Sequence, residues 1–236
     1  MKLAISGFCG KMGQRICIIA QADKKCKVVL GLERQGHSEI GKKNGIVIAS
    51  DPVNLKKCDC LIEFTLPEVT VKHLEYLVKF KKAAVIGTTG LSAADNKKIK
   101  LAAKKIPIVY SPNMSVGVNL LFKLLTEAAL ILKGYDVCVS EAHHIHKKDA
   151  PSGTAKKIVD LINDQGFSVK YEDVAVVREG EIVGDHKIIF ESDVDKIELF
   201  HHAKTRDIFA KGAVMAAKWV VGKKPGLYSM NDVLGI

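Results

Sequence analysis

The sequence predicts an α/β protein: an N-terminal Rossmann-like domain with a parallel sheet, followed by a smaller α+β domain with a mixed sheet. Two observations predict this fold. Over residues 3–110, short apolar runs alternate with amphipathic stretches, and such alternation is typical of βαβ units. After residue 136, the apolar runs are mostly separated by turns, which favours a mixed or antiparallel sheet.

The elements follow in order along the chain. Strands are predicted at residues 3–6, 28–32, 60–64, 83–86, 106–110, 137–142, 174–177, 187–191 and 196–201. Helices are predicted at residues 11–22, after Pro67, at 92–105 with Ser92 as the N-cap, at 116–132, from Gly153 and at 210–221. We expect residues 1–114 to form a dinucleotide-binding domain, to which 207–236 return, and residues 115–206 to form a substrate-binding domain.

Composition limits the classes of function. Apolar residues make up 47% of the chain, but no run approaches the ~20 residues that a bilayer requires. The N-terminus lacks a signal-peptide pattern, so we expect a cytoplasmic protein with no membrane partner. The six cysteines form no C-x-x-C pair and are expected to be reduced thiols.

The net charge of +10 comes mostly from lysines in scattered doublets, and aromatic residues make up only 6%. A nucleic-acid-binding surface concentrates its charge and favours arginine. We therefore expect no nucleic-acid partner and a small anionic substrate, which a positive field would attract.

A glycine-rich turn separates the first predicted strand from the first helix. Gly7, Gly10 and Gly13 form the pattern G-x-x-G-x-x-G, which permits a tight turn and close approach of a pyrophosphate to the backbone. Glu33 stands at the end of the second strand, about 20 residues after Gly13. A ribose-binding acid is expected at this distance from the glycine-rich turn. Arg34 beside it could neutralise a 2′-phosphate, so both NADH and NADPH are candidates. A tight turn without a ligand remains the alternative.

A polar segment begins at His143 and contains two further histidines and two lysines. Ser152 is predicted to cap the next helix, whose first turn would offer amide groups to a carboxylate. This pattern favours an acid–base site for a carboxylated substrate. A polar surface loop is one alternative. The other is a zinc site of the three histidines and Asp149, which Lys147 would oppose by repulsion, and we expect no metal.

Residues 141–155, EAHHIHKKDAPSGTA, resemble the signature of the dihydrodipicolinate reductase family. Other segments match the family's order along nearly the whole chain: residues 7–13, 32–34, 64–68, 87–90, 111–119, 178–180, 184–186, 202–206, 209–213 and Trp219. The sequence departs from the family at Lys11, where arginine is frequent, at Met114, where phenylalanine is common, and in the short stretch 35–50. These departures leave the cofactor preference open.

The resemblance implies reduction of a cyclic imine dicarboxylate to tetrahydrodipicolinate by NADH or NADPH, in lysine and diaminopimelate biosynthesis. It implies that His143 is the general acid and that Lys147 places positive charge beside the ring nitrogen. It implies that the substrate carboxylates are held by His144, Ser152, Gly153 and Thr154. It implies cofactor contacts at Gly7, Gly10, Lys11, Met12, Gly13, Glu33, Arg34, Phe64, Gly87, Thr88, Thr89, Ser111, Asn113 and Met114. It also implies a homotetramer built through the sheet of the second domain.

Two other functions remain possible on sequence alone. One is a different two-domain NAD(P)-dependent reductase of amino-acid metabolism, such as one acting on a semialdehyde. The other is a regulator that binds NAD(H) and DNA, although no helix-turn-helix pattern is present in the sequence and the histidine segment would then have no role.

Overall fold

Two compact units divide the chain in this computed structural model, which describes residues 1–236 apart from the side chains of Lys42 and Lys43. The first unit comprises Met1–Ser115 together with Asp207–Gly235, and the second comprises Val116–Arg206. No helix within the described chain combines the length and the apolar character needed to cross a bilayer.

The first unit alternates strands with helices. Its elements are β1 (Lys2–Ser6), α1 (Lys11–Ala22), β2 (Lys27–Leu32), β3 (Gly41–Lys43), β4 (Ile46–Ala49), a 3-10 helix (Pro52–Lys57), β5 (Cys60–Glu63), α2 (Pro67–Phe80), β6 (Ala83–Ile86), α3 (Ala93–Ala103) and β7 (Pro107–Tyr110). The second unit contains α4 (Val116–Ile131), β8 (Asp136–His143), α5 (Gly153–Asn163), a 3-10 helix (Tyr171–Asp173), β9 (Ala175–Arg178), β10 (Asp185–Glu191) and β11 (Lys196–His202). The chain then returns to the first unit with α6 (Asp207–Val220), β12 (Gly226–Tyr228) and α7 (Met230–Leu234).

The sheet of the first unit has eight strands in the order β12-β7-β6-β5-β1-β2-β4-β3. All neighbours pair in parallel except β3 and β4 at one edge. Its central strands are buried on both faces, as their continuous apolar sequences predict. In β5, for example, all four residues are buried.

Helices cover both faces of this sheet with apolar stripes at helical spacing. On one face, Ile16 and Ala20 of α1 share a core with Ala213 and Ala217 of α6. On the other face, α2 and α3 contribute buried apolar side chains to a second core. Burial of each large aliphatic side chain stabilises the fold by about 2 kcal/mol.

The start of α3 is fixed at Ser92, which the sequence predicted as the N-cap and which forms a capping box with Asp95. The Asp95 amide donates to Ser92 Oγ at 3.2 Å, and the Ser92 amide donates to Asp95 Oδ2 at 3.1 Å. Two amide groups at the helix start are thereby satisfied by side chains.

The sheet of the second unit has four strands in the order β11-β10-β8-β9. β10 pairs antiparallel with β8 and β11, whereas β9 pairs in parallel with β8. Helices α4 and α5 pack on one face, where Val139, Ile188 and Phe190 are buried. On the opposite face Phe200 is 59% exposed.

The predicted fold class is confirmed: a Rossmann-like parallel sheet and a second unit with a mixed sheet. The sequence patterns did not predict β3, β4, β12 and α7. These elements have three to five residues each, too few for hydrophobic periodicity to identify.

Candidate active site

Five of the predicted cofactor residues stand directly after parallel strands. Gly7 follows β1, Glu33 follows β2, Phe64 follows β5, Gly87 follows β6 and Ser111 follows β7. Because the carboxyl ends of parallel strands meet at one edge of a sheet, these residues lie along the same edge. Ligands of open α/β sheets bind at this edge.

Two glycines of the glycine-rich turn stand where another residue would be strained or would not fit. Gly7 has a φ of +62°, in the left-handed region that glycine adopts without strain. A Cβ on Gly13 would lie 2.2 Å from Gly7 O and 2.7 Å from Phe8 Cα. Gly10 is the N-cap of α1 and provides no side-chain cap. The first turn of α1 contains no acidic residue, so the backbone amides at the start of this helix can bind an anion.

Glu33 lies against this turn. The Cys9 amide donates to Glu33 Oε1 at 2.6 Å, and Arg34 beside it is exposed. Gly7, Glu33 and Arg34 line a cavity of about 600 Å³ in the first unit. A glycine-rich turn, together with the carboxylate of Glu33 and the guanidinium of Arg34 at the next strand end, fits the pyrophosphate and ribose of a dinucleotide.

The remaining predicted cofactor residues differ in exposure. Lys11 and Thr89 are exposed, and Met12 is half-buried. Thr88 is buried, and its hydroxyl lies 2.8 Å from that of Thr70. Met114 as a whole residue is only 1% exposed and belongs to the core of the first unit. The prediction that it contacts the cofactor is not supported by this burial.

Two further contacts lie just after β5, β6 and β7. Ser111 Oγ donates to the Asn113 carbonyl at 2.8 Å. A Cβ on Gly87 would lie 2.4 Å from Phe64 Cζ, so glycine permits the phenyl ring to pack on the backbone. Both features stand at the edge expected for the nicotinamide half.

In the second unit, β8 ends at His143, which is 7% exposed. The loop after it turns where the Lys147 amide donates to the His144 carbonyl at 3.1 Å. Lys147 Nζ lies 2.8 Å from Asp149 Oδ1. Ser152 caps α5 by accepting from the Ala155 amide at 3.2 Å, as the sequence predicted. Gly153 and Thr154 therefore occupy the first turn, where amides suit a carboxylate.

A buried carboxylate connects the strand end to the helix start. Glu141 Oε1 accepts from the Ser152 amide at 3.0 Å and from Arg178 Nη2 at 2.8 Å. Burial raises the pKa of Glu141, but these hydrogen bonds outweigh it, and the net pKa lies below the usual range. Glu141 is therefore an anion at neutral pH.

The charges near His143 oppose one another. Burial lowers the pKa of His143, and the positive charges of Lys147 and Arg178 lower it further. The negative charges of Glu141 and Asp149 raise it, and the net pKa lies below the usual range. Additional negative charge beside the ring would raise this pKa.

The structure does not group the residues of the zinc site that the sequence left open. In the second unit as described, the side chains close enough to share a metal ion are Glu141, His143 and His186, not the loop histidines with Asp149. Arg178 contacts the same carboxylate, and its charge opposes a cation there.

Comparison with known proteins identifies the family. The model of the N-terminal part of dihydrodipicolinate reductase matches residues 1–114, and that of its C-terminal part matches residues 117–234. The chain belongs to the dihydrodipicolinate reductase family. The resemblance drawn from residues 141–155 is thereby confirmed, as is the prediction of an NAD(P)-dependent oxidoreductase.

Relatives and solved structures agree with this family. The chain is 42% identical to the 4-hydroxy-tetrahydrodipicolinate reductase of Geobacter metallireducens over 266 aligned residues, covering 100% of the chain and 99% of the relative. It is 42% identical to that of Ralstonia pickettii, covering 100% of both. The dipicolinate-bound dihydrodipicolinate reductase from Paenisporosarcina sp. TG-14 is similar in fold, with a TM-score of 0.83, 22% identity and 97% of each chain covered.

Three residues of this family site were not selected from the sequence: Glu141, Arg178 and His186. Glu141 could have been found, because a strand residue two positions before His143 lies on the same face. Arg178 and His186 are brought to the site by strand pairing, Arg178 opposite His143 and His186 opposite Glu141. No local pattern marks them.

The buried His186 is expected to make the fold sensitive to acid. Burial lowers its pKa to about 4, whereas an unfolded histidine titrates near 6.5. The unfolded state therefore binds more protons between these values, and the free energy of unfolding falls as pH decreases from about 6.5 to 4, on the order of 3 kcal/mol in all.

Urea unfolding at several pH values measures this loss for the native protein and for His186→Gln. The variant is expected to lose less stability over the same pH range. An equal loss in both proteins would show that His186 is not the group responsible.

Proposed function

We propose that this chain reduces 4-hydroxy-tetrahydrodipicolinate, or the dihydrodipicolinate formed from it by loss of water, to tetrahydrodipicolinate in lysine biosynthesis. One observation carries the proposal. A histidine ends strand β8, a lysine lies in the loop after it, and a buried carboxylate connects that strand to the capped start of α5. This arrangement combines a proton donor with positive charge and amide groups for a dicarboxylate.

The side chains of the second unit take distinct roles. His143 protonates the ring carbon next to the one that accepts hydride, so that one hydride and one proton are added across a ring double bond. Lys147 stabilises charge that develops at the ring nitrogen. His144, Ser152, Gly153 and Thr154 hold the two carboxylates.

The first unit holds the dinucleotide. When bound, NADH or NADPH supplies the hydride. Gly7, Gly10 and Gly13, with Lys11 and Met12, leave the amide end of α1 open to the pyrophosphate, and Glu33 and Arg34 contact the adenosine ribose. The residues that would contact the nicotinamide half are Phe64, Gly87, Thr88, Thr89, Ser111 and Asn113, whereas Met114 is buried in the core.

The chain acts as a cytoplasmic homotetramer in this proposal. The face of the second sheet opposite α4 and α5 supports such an assembly, because it exposes Phe200 and Val177, which are 59% and 45% exposed. Apolar side chains on a sheet face are typical of an interface.

A coupled assay tests the proposed reaction. The unstable substrate is generated in place by condensation of pyruvate with aspartate semialdehyde, and the decrease in NADH or NADPH absorbance is followed. We expect turnover that requires both precursors, and inhibition by pyridine-2,6-dicarboxylate. Turnover with the semialdehyde alone would instead show that the substrate is not the cyclic dicarboxylate.

A further inference from the structure

At one end of the second sheet, the core face carries ionisable side chains instead of apolar ones. Val139 of β8 is buried in the core, and Glu141 and His143 continue the same face at two-residue spacing. Strand pairing places His186 opposite Glu141, and His201 opposite His186. Three adjacent strands thus present a row of titratable side chains beyond the apolar core.

Only one oxygen of Glu141 is satisfied by hydrogen bonds. Oε1 accepts from Ser152 and Arg178. Oε2 is buried and has no hydrogen-bond partner among the described residues. It lies 3.6 Å from His143 Nδ1 and 3.8 Å from His186 Nε2. Because an unsatisfied buried carboxylate oxygen is costly, this oxygen requires a proton donor.

His143 is the donor that fits Oε2. Its Nδ1 is the ring nitrogen nearer to Oε2, at 3.6 Å compared with 3.8 Å for His186 Nε2. Nδ1 of His143 faces Oε2, whereas Nε2 lies on the side of Gly184, where an added Cβ would come within 3.0 Å of it. Glycine at position 184 therefore leaves space beside Nε2.

We propose that Glu141 is a positioning residue of this site. It holds His143 with Nδ1–H turned toward Oε2, leaves Nε2 to carry the proton to the substrate, and holds the Ser152 amide of α5 through Oε1. The inference rests on the proposed function. One carboxylate thereby sets both the orientation of the acid and the place of the carboxylate-binding helix start.

This geometry has a known physical effect on an imidazole. A carboxylate at Nδ1–H fixes the tautomer and ring orientation and stabilises the imidazolium. The separation of 3.6 Å is longer than a hydrogen bond, and such contacts shorten when the bound substrate favours the charged ring.

The charged and titratable groups around His143 come from several elements. Glu141 lies on the same strand, Arg178 on β9, His186 on β10, and Lys147 and Asp149 in the loop after β8. Asp149 is paired with Lys147 and Arg178 with Glu141. Glu141 is therefore the one carboxylate of this set that is fully buried against the ring.

The variant Glu141→Gln separates charge from shape. Its amide oxygen can still accept from Ser152 and Arg178, but the negative charge is lost. We expect kcat/KM for the dicarboxylate to fall by about 10- to 1,000-fold at neutral pH, with the dissociation constant for NADH unchanged. The pH above which kcat/KM declines should move to lower pH, because the pKa of His143 falls.

Nitrogen-15 NMR of histidine-labelled protein provides a readout independent of activity, with His143→Gln to assign the signal. In the native protein, the neutral His143 ring should carry its proton on Nδ1. In Glu141→Gln, the ring should become a mixture of tautomers with a lower pKa. Glu141→Asp, which keeps the charge, should restore part of both properties.

Glu179→Gln is the matched control, since Glu179 is exposed and contacts His143 only through its backbone amide. It should leave the pH profile and the NMR signal unchanged. An Nε2–H tautomer in the native protein would overturn the proposal even if Glu141→Gln fails to fold, and so would an unchanged His143 signal in folded Glu141→Gln. If the NMR results hold but the native protein shows no reductase turnover, the proposed function fails and the positioning role stands.

Discussion

Replacing His143 or Lys147 by alanine is expected to lower kcat by about 10²- to 10⁴-fold. In the proposed reaction, each variant removes an interaction that is strongest in the transition state: the proton from His143, or the positive charge of Lys147 at the ring nitrogen. Steady-state kinetics in the coupled assay measure the loss. The dissociation constant for NADH, measured by fluorescence titration, should be unchanged because the glycine-rich turn belongs to the other unit.

His146→Ala is the control for these variants. His146 lies in the same loop between the two residues but is exposed, so its removal should leave kcat close to that of the native protein. Native turnover in both His143→Ala and Lys147→Ala would remove these residues from the chemistry. A loss of NADH binding in either variant would indicate a wider structural effect.

Gly13→Ala is expected to destabilise the protein by on the order of 3 kcal/mol, or roughly 10 °C in Tm. The added methyl group would lie 2.2 Å from Gly7 O and 2.7 Å from Phe8 Cα. Both atoms are backbone, so α1 or the turn must move away from the sheet. Thermal unfolding measures the loss of stability, and NADH titration should show greatly weakened binding because the phosphate-binding amides move with the turn.

Gly10→Ala provides the contrast within the same turn. Its Cβ would lie 3.2 Å from Gly7 O, a contact that a small shift relieves. Stability should therefore change little, whereas the affinity for NADH should fall because a methyl group occupies the approach of the pyrophosphate. Equal stability of the Gly13→Ala and native proteins would contradict the close packing of α1 on the sheet.

Local sequence patterns determined the fold class and much of the candidate site. Alternating apolar runs and amphipathic stretches identified the strands that hold Gly7, Glu33 and Gly87 at their ends, because secondary structure depends on nearby residues. The caps at Ser92 and Ser152 were also readable, since a cap needs only a side chain and the amides of the following turn. The histidine loop could also be identified from the sequence, because its residues are contiguous in the chain.

Strand pairing and burial, which local patterns do not encode, decided the rest. Sheet register brings Arg178 and His186 to His143 and Glu141 across gaps of more than 30 residues in the chain. Burial turned Met114, expected from the sequence to contact the cofactor, into a core side chain. The sequence by itself predicted His143 as the proton donor and the start of α5 as the anion-binding site. Only the tertiary structure revealed the buried carboxylate beside them and the shifts in pKa. These shifts arise from desolvation and opposing charges, which depend on which distant residues pack together.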